Sequence, residues 1–248
     1  KITIEETFRI FRERFSDPGG FTYIFVGNVD PKQIKEFSKT YIAPLAEARE
    51  ESWKDRGMYF TESSGKTEVH AGQEPKSKVS LFYLGDYEWS LEENHALTSL
   101  KSLLEIRLRE TVREEAGGTY GVSVSTRTTK IPKEEYALGI SFNCAPDRVE
   151  ELISIVEAEL EKVSEEELPE TYAEKVREGQ RSDWEEAKQE NGYWIGLLSA
   201  SERYGLPMDE LMAKDRRMER VDPKMLRETA GKYLIDVVRL EAVLYPEK

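Results

Sequence analysis

Between Glu135 and Val163 the hydrophobic period of the sequence changes once, from that of a strand to that of a helix, and this restricts the fold more than any other feature. In "EYALGISFN", Tyr136, Leu138, Ile140 and Phe142 alternate with Ala137, Gly139, Ser141 and Asn143, as in a strand with one buried face. After Pro146-Asp147, the residues Val149, Leu152, Ile153, Val156, Leu160 and Val163 recur at helical spacing, so an amphipathic helix follows at once. An apolar sheet face and an apolar helix stripe each need a cover, and here each can cover the other.

The remaining segments extend the same plan. Glu6 to Phe15 has helical spacing, Asp17-Pro18-Gly19-Gly20 ends it, and "FTYIFVGNV" predicts a buried strand leading to a helix that Asp30-Pro31 opens and Pro44 closes. "SKVSLFYLG" predicts a strand, and Asp86 to Glu114, with Leu97, Leu100, Leu104 and Leu108 at spacings of three and four, a long amphipathic helix. Thr119 to Thr128 predicts another strand. Pro169 to Gln189 reads as a charged helix, broken at Asn191-Gly192, and "YWIGLLSASERYG" as a third. Short helices follow around Met208 to Arg217 and Pro223 to Leu234, and "VRLEAVLYPE" is a closing strand. This order predicts an α+β fold, a layered and mainly antiparallel sheet with helices packed on it.

Three parts are expected. Residues 1–46 read as the helix-strand-helix end of a preceding domain, 47–65, polar and irregular, as a linker, and 66–248 as a complete C-terminal domain. "FTYIFVGNVDP" and "VVRLEAVLYPE" echo each other as apolar strands that follow a helical segment and stop at a turn, which suggests two related units. Because Lys1 falls inside a helical pattern, the chain is expected to be a piece of something longer.

Several function classes fit poorly. The net charge of −13 would repel a polyanion, and no basic patch offsets it, so nucleic acid is not expected as a partner. The longest apolar runs are shorter than a bilayer span, so no membrane span is expected. Of the two histidines, His70 lies near a turn and His95 early in the long helix. An inverted zinc motif, H-x-x-E-H, places two histidines and a glutamate on one helix face. Leu91 to His95 matches it only at the last position, so neither a metal nor a cofactor is expected in this chain. Cys144 has no histidine near it in sequence, and no G-x-S-x-G is present. In "AGGTYG" the glycines follow a helix and precede a strand, the reverse of a phosphate-binding loop.

What remains is "REEAGGTY", which puts Arg113 at a helix end and Tyr120, seven positions on, at a strand start. A plain helix cap accounts for this arrangement: Arg113 complements the helix dipole and Gly117 or Gly118 supplies a left-handed residue. The stretch also resembles the pitrilysin-insulinase family of inverted-motif zinc metallopeptidases, relatives of the mitochondrial processing peptidase. The similarity extends through "YGVSVS", "YALGISFNCAPDRVEELI", "ENGYWIGLL", "YGLP" and "EAVLYPEK" in order, with "FVGNVDPKQI" resembling the end of a preceding domain.

The resemblance implies a LuxS/processing-peptidase-like metallohydrolase fold and the C-terminal, non-catalytic portion of a bacterial single-chain enzyme. One half of such an enzyme holds zinc on H-x-x-E-H, and the other contributes an arginine and a tyrosine that bind the substrate carbonyl or its oxyanion. Arg113 and Tyr120 match those two residues. The implied partners are the N-terminal half of the same polypeptide and a peptide or unfolded-protein substrate, with a homodimer as a further pairing and a periplasmic or cytoplasmic location. A catalytically inactive assembly subunit of the same fold is the alternative.

Overall fold

The computed structural model describes residues 2–15, 18–44, 52–116 and 121–247, with only the backbone at 18 and 113–116. Two compact units emerge. One comprises Lys1–Asp55 with Trp184–Met212, the other Arg56–Asp183 with Ala213–Lys248. Residues 184–212 thus group with the N-terminal segment rather than with the rest of 66–248, and the boundary falls inside a helix.

The smaller unit is helical. α1 (Ile4–Phe15) starts where Thr3 Oγ1 accepts a hydrogen bond from the Glu6 amide, and α2 (Pro31–Tyr41) where Asp30 accepts one from the Lys32 amide, with Pro31 in the first turn. Neither helix contains a buried residue, and Phe8, Phe11 and Phe15 lie exposed along α1. The strand expected at "FTYIFVGNV" does not form: residues 21–26 join no ladder, and Phe21, Tyr23 and Phe25 are exposed. Apolar alternation specifies a strand only when a second strand satisfies its backbone groups, and the described residues of this unit supply none.

In the larger unit five strands lie in the order β1-β5-β2-β4-β3. These are β1 (Gly65–His70), β2 (Ser77–Asp86), β3 (Val122–Thr129), β4 (Glu135–Cys144) and β5 (Val238–Tyr245). All pairings are antiparallel except β1 with β5, which run parallel from Gly65↔Leu240 to His70↔Tyr245. The β2 and β4 register runs from Ser77↔Cys144 to Asp86↔Glu135.

One face of this sheet is covered by α3 (Leu91–Ala116), α4 (Val149–Glu165) and α9 (Pro223–Leu234). Tyr136, Leu138, Ile140 and Phe142 point into that layer, each at most 2 % exposed, and meet the α3 leucines at 97, 100, 104 and 108 and the α4 stripe. The change of hydrophobic period in the sequence is thus a change of layer. On the opposite face Gly139 leaves room for its neighbours. A Cβ there would sit 2.9 Å from Ser125 Oγ and 3.1 Å from the Phe82 ring. A side chain at 139 would push those neighbours apart and disturb the β2-β4-β3 surface.

α5 (Glu170–Ala187), α6 (Asn191–Tyr204), α7 (Met208–Met212) and α8 (Lys214–Glu219) complete the described helices, and α6 ends on Gly205 in the left-handed region at φ 65°.

Candidate substrate-binding turn

The residues singled out in the sequence lie between α3 and β3. The backbone of α3 is described to Ala116 and β3 begins at Val122, just after Gly121 at φ 107°. Tyr120, and the side chain of Arg113, lie outside the described residues. The local frame is nonetheless defined, because α3 packs on β3 and Val122 pairs with Phe142 near the end of β4. Residues 117–120 therefore connect the last described residues of α3, where backbone carbonyls carry partial negative charge, to the start of an edge strand.

The part of α3 that leads to this turn is clamped. Leu108 and Val112 are buried on its sheet side. Arg107 Nε donates to Glu159 Oε1 of α4 at 2.5 Å, and its guanidinium lies 4.9 Å over the Tyr172 ring of α5. The Tyr172 hydroxyl donates to Glu110 Oε2 at 2.8 Å, and Lys175 pairs with Glu110 at 3.3 Å. Glu159 is 2 % exposed, and its ion pair holds the Arg107 guanidinium charged. Three helices are thus tied together just before Arg113, which fixes where the helix end points. These supporting residues were not singled out from the sequence. The available signal was Glu159 itself, an acid between Val156 and Leu160 on an otherwise apolar stripe.

The two histidines and the cysteine do not converge. His70 ends β1, exposed and stacked on Tyr245 with ring centroids 5.3 Å apart. Cys144 is buried at the end of β4, where burial pushes its thiol pKa up. His95 is buried in α3, and its Nε2 has no hydrogen-bond partner. Burial, with Arg217 and Lys214 nearby, pushes its pKa down from 6.5 to about 4. Among the described residues no three of His, Cys, Asp and Glu are grouped to hold a metal ion, so the donors present do not fit a zinc site.

His95 makes stability depend on pH. Its folded pKa is depressed, so the unfolded chain takes up the proton first. The stabilisation is therefore whole above the ordinary histidine pKa and is lost as pH falls toward the folded value. From about pH 7 to about pH 5 the unfolding free energy should fall by roughly 2 kcal/mol more in the parent chain than in His95→Gln. Denaturant titrations at the two pH values measure the difference, and parallel slopes would rule this role out.

Two other side-chain clusters occur in the larger unit. At the opposite end of the sheet, the Tyr136 hydroxyl donates to the Tyr233 carbonyl at 3.0 Å and the Tyr233 hydroxyl to Glu93, an arrangement that closes the core. A recess of about 340 Å³ borders Tyr83, Glu157, Leu160, Glu161, Leu234, Ile235, Asp236 and Arg239. There the Arg239 guanidinium is engaged by Glu157 at 2.6 Å and Glu241 at 2.8 Å.

Comparison with known proteins decides the family. The model of the peptidase M16 inactive domain matches residues 2–180, a span that includes α3, the turn and β3. The chain belongs to that family. The resemblance seen in the order of sequence motifs was to this group of zinc peptidases, and the inactive-domain match agrees with a portion that lacks the metal motif. The chain is 25 % identical to the probable zinc protease PqqL of Haemophilus influenzae over 150 residues, 59 % of this chain and 16 % of the relative. It is 25 % identical to that of Escherichia coli over 178 residues, 68 % of this chain and 19 % of the relative. An Arabidopsis thaliana zinc protease described as PQQL-like is 24 % identical over 206 residues.

This M16 inactive domain therefore spans about a fifth of the length of the curated relatives it matches. Solved structures agree on the fold. The periplasmic protease PqqL of Escherichia coli superposes with a TM-score of 0.80 at 18 % identity, over 99 % of this chain and 27 % of that one. A peptidase M16 inactive domain from Pseudomonas fluorescens gives 0.75 at 16 % identity, over 100 % of this chain and 58 % of that one. The expected α+β architecture, a layered and mainly antiparallel sheet with helices packed on it, is the observed one.

Proposed function

We propose that this M16 inactive domain is the substrate-binding C-terminal part of a zinc-dependent endopeptidase whose metal lies in another half of the polypeptide. The observation that carries this reading is the Arg113 to Tyr120 spacing at the α3 to β3 turn, inside the span matched by the family. Two donors leaving a helix end and a strand start can meet at one acceptor. Arg113 and Tyr120 would hydrogen-bond the scissile carbonyl and hold it more tightly as negative charge develops on its oxygen. Along the chain, residues 1–46 would end the preceding domain, 47–65 link, and 66–248 form the C-terminal domain.

The naming of the curated relatives as zinc proteases supports zinc in the full-length protein. The ferredoxin protease FusC, solved with Arabidopsis ferredoxin, superposes with a TM-score of 0.78 at 16 % identity over 100 % of this chain and 27 % of that one. That complex supports a protein or peptide substrate, and the periplasmic PqqL of Escherichia coli supports a bacterial, periplasmic setting.

Mixing the two halves tests the proposal. Zinc should copurify with the N-terminal half only, and chelator-sensitive peptide cleavage should require both halves. Full cleavage by the N-terminal half alone, or a tightly held zinc in this chain, would contradict it. An N-terminal half without zinc and a mixture without cleavage would favour the assembly-subunit alternative.

A further inference from the structure

Three helices meet at His95 through one buried chain of hydrogen bonds. Gln180 Nε2 of α5 donates to Ser99 Oγ of α3 at 2.9 Å, and Ser99 Oγ donates to the His95 carbonyl at 2.8 Å. The His95 ring bonds the Arg217 backbone in α8, and because Nε2 has no partner, Nδ1 is the nitrogen that donates to the carbonyl there. His95, Ser99 and Gln180 are 8 %, 0 % and 6 % exposed, so the chain is shut off from water. Little else anchors the two outer helices at this point: Met218 is the one buried side chain of α8, and beyond Val176 Gln180 is the last buried residue of α5. Arg177 of α5 donates to the Val221 carbonyl just past α8, so these two ends are also tied to each other. The joint coincides with two crossings of the chain, which leaves the larger unit after Asp183, just past Gln180, and returns at Ala213, just before α8.

We propose that this joint is an acid-released clasp: a proton on His95 Nε2 frees α8 and the end of α5 from α3, loosening the larger unit where the chain leaves and re-enters it. The neutral ring is held by a single donated bond and leaves Nε2 as a dry acceptor. A proton turns Nε2 into a second buried donor with no acceptor in place and sets a positive charge beside two others. Those two are Arg217 and Lys214 of α8, and the attraction of Glu92 on α3 is weaker than either repulsion. On the α5 side Asp183 acts on Lys214, and on the α9 side Lys232 is paired with Glu93 at 3.1 Å. Once released, the ring regains the ordinary basicity of histidine, so opening takes up a proton and is favoured as pH falls. The opening is local and precedes the loss of the whole fold, because helix ends with so few buried side chains separate at lower cost than the sheet and its cover.

Hydrogen exchange of the 248-residue chain at about pH 7 and about pH 5, corrected for the intrinsic pH dependence of exchange, tests this. Protection of residues 214–221 and of the last turn of α5 should fall about twentyfold between the two, the ratio for a group that titrates near 6.5 when free and at about 4 in the closed joint. Amides of β4 and α4 should stay better protected than these at both pH values. His95→Gln should abolish the change. Lys214→Met removes a repelling cation, so it should raise the pH at which the ring protonates and shrink the change, which keeps the clasp testable if His95→Gln fails to fold. No fall in protection, an equal fall in His95→Gln, no effect of Lys214→Met, or α8 exchanging in step with α4 would overturn the proposal. The chain has only two histidines, so NMR of their rings follows the proton directly. A His95 ring that becomes charged while α8 stays protected would also overturn it, because Gln180 Oε1 would then be accepting the new N–H in place.

Discussion

Under the proposed function, Tyr120→Phe in the full-length protein should lower peptide turnover by about 10²–10³ and leave the melting temperature almost unchanged. The substitution removes one hydroxyl and keeps the ring. If that hydroxyl donates to the substrate carbonyl as charge builds on its oxygen, the loss falls on the chemical step and should appear in kcat and kcat/KM together. Arg113→Ala should act in the same direction, with a stability cost of at most about 1 kcal/mol from its contact with the helix dipole. Leu104→Ala serves as the contrast, because truncating a buried leucine costs about 2–5 kcal/mol through the core. Wild-type turnover in both Arg113→Ala and Tyr120→Phe would remove the catalytic assignment, leaving "AGGTY" as a helix cap.

Glu159→Ala should destabilise the chain by about 3–5 kcal/mol. Glu159 is 2 % exposed and receives the Arg107 guanidinium at 2.5 Å. Removing the carboxylate leaves the Arg107 cation between α3, α4 and α5 without its ion-pair partner, with the Tyr172 ring beside it and the Glu110 charge acting from further off. Most of the cost lies in that unpaired charge, so it should largely disappear when both partners are replaced by apolar residues, as in Arg107→Met with Glu159→Leu. Denaturant unfolding of the single and double variants measures this. A single variant within about 1 kcal/mol of the parent would mean that the pair is too well solvated to matter.

Elements whose side chains carry their own periodicity could be read from the sequence. β4 and α4 declare themselves because each buries one regular row of residues, and α3 does so through its leucines. β1 could not be read, and its "GKTEVH" was assigned partly to a linker: all six residues are exposed, and only parallel pairing with a strand more than one hundred and seventy residues later makes it a strand. "FTYIFVGNV" failed in the opposite way, having the composition of a strand without a described partner. Arg113 and Tyr120 were reachable only through the family resemblance, since the residues by themselves read equally as a helix cap, and neither side chain is among the described residues. The Arg107 to Glu159 clamp depends on two helices meeting, which local pattern does not encode. The grouping of 184–212 with the N-terminal segment is likewise a matter of contacts between distant parts of the chain.

The position of β5 has a consequence for biosynthesis. It lies between β1 and β2 although it is the last strand in sequence. On the ribosome, β2, β4 and β3 can assemble as soon as Cys144 has emerged, but β1 then has no neighbour and one side of β2 stays open until Val238 to Tyr245 is made. The nascent chain must hold a long open strand through the synthesis of six further described α-helices, which favours chaperone engagement and exposes the intermediate to aggregation.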